Sequence, residues 1–170
     1  MGLDACVYCD CVEKGRLRTP PPRADLIYIE GDGSPELRTD DLELSIAFDV
    51  WRSGNPCSHE QLCLLHHRLG NMSGIDRIRR IVRQIANQQI AKEPETASPL
   101  LWTRVIYSGI HAGDFLTPQE AISLGGELVQ LKAYDLRQLT PEDQGFVETF
   151  LARMDELVKA SGSVGKPISF

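Results

Sequence analysis

Cysteine and histidine gather at two places in this chain. All five cysteines lie either in Cys6-x-x-Cys9-x-Cys11 or in the pair Cys57 and Cys63, and three of the four histidines, His59, His66 and His67, accompany the second pair. If the clusters act together, the fold must bring residues 6–11 against residues 57–67, a closure across nearly fifty positions that would constrain the unfolded chain. No other feature restricts the topology as much. Thiolates and imidazoles in four-fold sets are what Zn²⁺ takes, because a tetrahedral S and N shell suits a borderline-soft d¹⁰ ion.

The expected ligands are Cys9, Cys11, Cys57 and His59. In an extended segment residues two apart share a face, so Cys9 and Cys11 converge while Cys6 points away from Cys9. Cys57 and His59 follow the stiff Asn55-Pro56 step and supply the second pair. Other sets stay open: Cys6, Cys63, His66 or His67 could replace one ligand, and His59, Cys63 and either His66 or His67 could share a helical face. Equally, Cys6 and Cys63 could be small buried hydrophobes, with nothing binding metal. A thiolate-rich set of four favours a closed, structural site; a catalytic ion would need an open position and a carboxylate such as Glu60 or Glu13. Pro56-Cys57 is only a fragment of a zinc-deaminase signature, whose upstream element is missing. Cys6-x-x-Cys9 imitates a redox pair but lies in a strand-like segment, not at a helix start.

With 170 residues, 42% hydrophobic and 25% charged, the chain has the make-up of one globular domain able to bury a core without disulfides. The net charge of −6 argues against a grip on nucleic-acid phosphates. No run approaches the roughly 20 apolar residues of a membrane span. The start MGLDACVYCDC lacks the basic and apolar regions of a signal peptide, so the expected compartment is the cytoplasm, with reduced cysteines.

Along the chain, residues 3–12 suggest a strand, and Leu26–Ile29 with Glu36–Arg38 a hairpin across Gly31-Asp32-Gly33-Ser34. Leu44, Ala47, Phe48 and Trp51 recur at helical spacing behind Thr39 and Asp40 as caps. Residues 59–69 fit either a helical turn or a buried strand. Beyond them Ser73 is the expected cap of a helix whose stripe is Ile75, Ile78, Val82 and Ile85. Trp102–Tyr107 has strand composition, with a helix from Ser98-Pro99 as rival. Thr117-Pro118-Gln119-Glu120 and Thr140-Pro141-Glu142-Asp143 are helix starts, and Gly125-Gly126 marks a break or a close approach. The expected fold is α+β: one domain over residues 1–160, a small N-terminal β-hairpin or sheet on several helices, with a structural zinc site and a flexible tail at 161–170.

Two further groups merit weight. Ser108, His111 and Asp114, among glycines, form a possible polar binding loop, too close in sequence for a nucleophile triad. Arg68, Arg77 and Arg80 are candidate contacts for an anion or partner, without the interleaved aromatics that nucleic-acid binding would favour.

Tyr8-Cys9-Asp10-Cys11-x-Glu13-Lys14-Gly15-Arg16-Leu17-Arg18-Thr19-Pro20-Pro21, Cys57-x-His59, Leu64-Leu65-His66-His67-Arg68-Leu69-Gly70-Asn71 and Tyr107-Ser108-Gly109-x-His111-x-Gly113-Asp114 resemble a group of small bacterial proteins with no assigned activity. The resemblance implies a bacterial setting. By size and charge such proteins are also similar to the immunity proteins that neutralise toxins. The expected function is therefore a metal-stabilised binding protein for a basic protein partner, with no nucleic acid and no membrane; the alternative is a zinc-dependent hydrolase using His111, Asp114 and Glu60.

Overall fold

The computed structural model describes residues 2–92, 114–132, 136 and 139–170. Its elements are β1 (Gly2–Tyr8), β2 (Ile27–Ile29), β3 (Pro35–Leu37), α1 (Leu42–Ser53), β4 (Cys63–Asn71), α2 (Met72–Lys92), β5 (Phe115–Leu116), α3 (Pro118–Lys132), α4 (Pro141–Val164) and β6 (Ile168–Ser169). β1 pairs antiparallel with β4 on one side and β6 on the other, and β6 pairs with β5, giving the order β4-β1-β6-β5. β2 and β3 form a separate hairpin. The mixed α and β class is as expected, with four α-helices and an antiparallel sheet among the described residues.

Among the described residues, the buried side chains gather in two packed regions. Ala5 and Val7 of β1 and Leu69 of β4 join a core with Ile75, Ile78, Val82 and Ile85 of α2, Leu124 and Leu128 of α3, and Val147, Phe150, Leu151, Met154 and Leu157 of α4. A second, smaller core gathers Cys9, Cys11, Phe48, Trp51, Cys57 and Leu62, flanked by Leu17, Ile27 and Leu37. The sheet thus carries the helices, while the second core packs the hairpin and α1 around the cysteines.

Helix starts follow the expected chemistry with two shifts. Thr117 and Glu120 form a reciprocal capping box, and the Thr140 hydroxyl accepts from the Asp143 amide. Asp41 caps α1, accepting from the amides of Glu43 and Leu44, while Thr39 instead accepts from the Asp41 amide. Asn71, the last residue of β4, accepts from the Gly74 amide at 2.8 Å and takes the capping role expected of Ser73, because strand passes into helix with no linker. At Gly125 an added Cβ would stand 3.1 Å from Val158 Cγ1, so the glycine lets α3 and α4 approach closely and the helix continues unbroken.

Three other expectations are revised or resolved. The first strand stops at Tyr8, because the chain turns back through bonds from the Lys14 amide to the Asp10 carbonyl and from the Arg16 amide to the Cys11 carbonyl. Residues 59–69 resolve into a short turn and then β4. Residues 161–170 are not a flexible tail: α4 ends with Gly165 in the left-handed region at φ 66°, and the chain then returns to the sheet as β6. Ile168 is 0% exposed, so its burial anchors the strand. The Trp102–Tyr107 expectation lies outside the described residues. Among the described residues, no helix is long and apolar enough to cross a membrane.

Candidate metal centre

The first pair of sulfurs is set by a turn. The Cys9 amide donates to the Leu62 carbonyl at 2.8 Å, continuing the β1–β4 pairing by one step, and the chain then curls so that Cys11 returns beside it. Asp10, between them, is buried and ion-pairs with Lys14 at 2.5 Å and with Arg16. The Lys14 hydrogen bond and the Arg16 charge hold its carboxyl below the usual range. Strand alternation was therefore the wrong reason for Cys9 and Cys11 to converge, although converge they do.

The second pair comes from the segment after α1. Asn55 adopts φ 55° and its side chain accepts from the Gln61 amide at 3.0 Å, closing a loop around Cys57 and His59. Pro56 offers its carbonyl to the Arg18 and Thr19 amides, and Trp51 donates its indole N–H to the Thr19 carbonyl at 2.9 Å. The two cysteine-bearing segments are thus laced together by backbone bonds. The His59 amide also donates to Cys57 Sγ at 3.3 Å, which fixes the histidine's backbone against the sulfur.

The ligand atoms of Cys9, Cys11, Cys57 and His59 all lie within 4.8 Å of one another. Three of the edges are 3.8 Å for Cys9 Sγ to Cys57 Sγ, 3.5 Å for Cys11 Sγ to His59 Nδ1, and 3.6 Å for Cys57 Sγ to His59 Nδ1. In a regular tetrahedron with Zn–S about 2.3 Å and Zn–N about 2.05 Å, the S···S edge is about 3.8 Å and the S···N edge about 3.6 Å. These edges leave room for one ion of that size. Burial pushes the Cys9 and Cys11 thiols up. A dication bound at this cluster would offset that cost of burial.

The remaining candidates are placed elsewhere. Cys6 Sγ and Cys63 Sγ lie 2.8 Å apart and are not among the four. Hydrogen bonding between them raises Cys6 and lowers Cys63. His67 pairs with Glu156 at 2.6 Å, whereas His66 and Glu60 line a cavity of about 560 Å³ that also reaches His59 and Cys63. Glu13 pairs with Lys166. Arg77 is engaged by Asp143 and Glu142, each at 2.6 Å, and stacks over Phe146; Arg68 and Arg80 are exposed. Asp114 is exposed, and its carbonyl accepts from the Phe170 amide at 2.9 Å. Ser108 and His111 fall outside the described residues.

Sequence reasoning missed Lys166, whose side chain is 7% exposed and whose 2.5 Å pair with Glu13 ties the C-terminal segment to the loop that carries Cys11. A solitary lysine near the chain end gives no signal of this. The chain matches no family model, no curated protein and no solved structure. Fold and site together define a small α+β protein with a buried Cys₃His cluster compatible with metal binding.

Proposed function

We propose that Cys9, Cys11, Cys57 and His59 hold one structural Zn²⁺, and that the protein is a metal-stabilised binding protein for a basic partner. The edge lengths support a closed site, since four protein donors fill a tetrahedral shell and leave no position for substrate. That same count weighs against the hydrolase reading.

The observation that carries the binding role is the outer face of α1. Leu42, Ile46 and Val50 are 74%, 54% and 68% exposed and recur every four residues, forming one stripe. The opposite face buries Phe48 and Trp51 against the cysteine cluster. Glu43 and Asp49, both exposed, flank the stripe. An apolar stripe with acidic borders complements an amphipathic basic segment of another protein, laid along the helix. The metal's role is then to keep α1 at a fixed angle for docking. The small size and net charge of −6 favour the finer reading of an immunity-type protein that masks a basic toxin. Reduced, metal-binding cysteines suit a reducing compartment such as the cytoplasm.

The test compares Ile46→Asp with Ile122→Asp, an equally exposed position on α3. Both variants should stay folded and keep zinc. Cross-linking in lysate of the source cells should recover a basic protein with the wild type and Ile122→Asp and lose it with Ile46→Asp. Identical recovery from both variants would refute α1 as the docking face. Absence of stoichiometric metal in protein purified without chelator would refute the zinc reading.

A further inference from the structure

Two cysteines remain outside the proposed metal shell, and they face each other. Cys6 lies on β1 and Cys63 opens β4; Tyr8 pairs with Cys63 and Cys6 with His66, with an irregularity in register between Val7 and Tyr8. That irregularity, at the last step of β1, sets Cys63 opposite Tyr8 and so diagonal to Cys6, and the two sulfurs stand 2.8 Å apart. A disulfide needs about 2.05 Å, so the two side chains are within a fraction of an ångström of bonding.

Access is unequal. Cys6 is buried at 9% exposure, whereas Cys63 is half-buried and borders the open cavity lined by Ser58, Glu60, Gln61 and His66. A small polar oxidant entering there meets Cys63 first, with Cys6 directly behind it. This is the arrangement of an attacking thiol and a resolving thiol.

We propose that Cys6 and Cys63 form a reversible disulfide site, oxidised by hydroperoxides and separate from the metal cluster. The Cys63 thiolate attacks one oxygen of the hydroperoxide; the O–O bond breaks, the alkoxide leaves and takes a proton, and Cys63 becomes a sulfenic acid. Cys6 then attacks that sulfur, the S–O bond breaks, and water leaves with the thiol proton. In sum two thiols lose two electrons and two protons, and the hydroperoxide becomes one alcohol and one water. The hydrogen bond between the sulfurs supports the division of roles, since it favours the charged form at Cys63. The bond would join β1 to β4 across 57 positions of sequence, next to the Cys9–Leu62 backbone bond.

The experiment treats the purified full-length protein, with whatever metal it carries, with tert-butyl hydroperoxide and maps the products by peptide mass spectrometry. The expected product is an intramolecular Cys6–Cys63 cross-link, two hydrogens lighter, reversed by dithiothreitol, with the metal content unchanged. Cys6→Ser, or Cys6→Ala if the serine variant is poorly soluble, should lose the cross-link fully and leave Cys63 as a sulfenic acid trapped by dimedone. Cross-links among Cys9, Cys11 and Cys57 forming first, with metal release, would overturn the proposal. So would a Cys63 that stays unmodified in the wild type while the protein remains folded. Neither result depends on whether α1 docks a partner.

Discussion

Removing the metal should soften one half of the molecule before the other. Cys9 and Cys57 are separated by 48 positions. Treated as a cross-link closing a loop of about 50 residues, the ion removes chain entropy worth about 4 kcal/mol at 25 °C. For a chain of this size 1 kcal/mol corresponds to about 2–4 °C in Tm, so stripping the ion should lower Tm by about 8–16 °C. The loss should fall first on the smaller core, because Phe48, Trp51 and Leu62 pack on the ligands while the core between sheet and helices contains none of them. The assay is paired melting of metal-loaded and chelated protein under reducing conditions. Far-UV circular dichroism follows the helices, and Trp51 fluorescence follows the smaller core in a Trp102→Phe background, since the chain has two tryptophans. Trp51 signal should fall at the lower temperature, with most helical signal persisting. Chelated protein melting within about 2 °C of the loaded form, with both probes coincident, would show that no ion holds the smaller core together.

Other predictions bear on the rest of the fold. Ile168→Ala should cost about 2–5 kcal/mol in urea unfolding, the range for a fully buried Ile truncated to Ala; a loose C-terminus would leave stability unchanged. Gly125→Val should destabilise by about 1–3 kcal/mol because its Cβ meets Val158, whereas Gly126→Ala, with nothing within 4 Å of the added Cβ, should be neutral or stabilising by up to about 1 kcal/mol. Equal effects at the two glycines would contradict the described packing of α3 on α4. Arg77 holds the Glu142 and Asp143 carboxyls below their usual range, chiefly by hydrogen bonds, so that pairing stabilises above the ordinary carboxylate pKa and is lost as pH falls through the lowered folded values. The Tm difference between wild type and Arg77→Ala should therefore be widest near neutral pH and close in acid; a difference constant with pH would exclude the ion pairs as its source.

Much of this was legible in the residues because the signals are local. Thr117-x-x-Glu120 and Thr140-Pro141 announce helix starts through side chains three positions apart, and the Ile75, Ile78, Val82, Ile85 stripe needs only the helical period. The members of the Cys₃His cluster were legible by chemistry, since few other roles cluster thiols and imidazoles in this way. Their geometry was not: the turn at Asp10–Arg16 depends on backbone bonds and on Asp10 pairing with Lys14 and Arg16, which no strand periodicity reveals. β6 was illegible for a different reason. Two residues carry no alternation, and Ile168 is a strand residue only because β1 and β5 stand on either side to receive it. Asn71 likewise became a cap only once β4 was found to end where α2 begins.

If Cys9, Cys11, Cys57 and His59 close around one zinc ion, the metal has four protein donors and no solvent ligand. X-ray absorption at the zinc edge of protein purified without chelator tests it directly. The expected shell is one zinc per chain, with three sulfurs at about 2.3 Å and one nitrogen at about 2.05 Å. A shell containing a water oxygen, fewer than three sulfurs, or no stoichiometric zinc would contradict it.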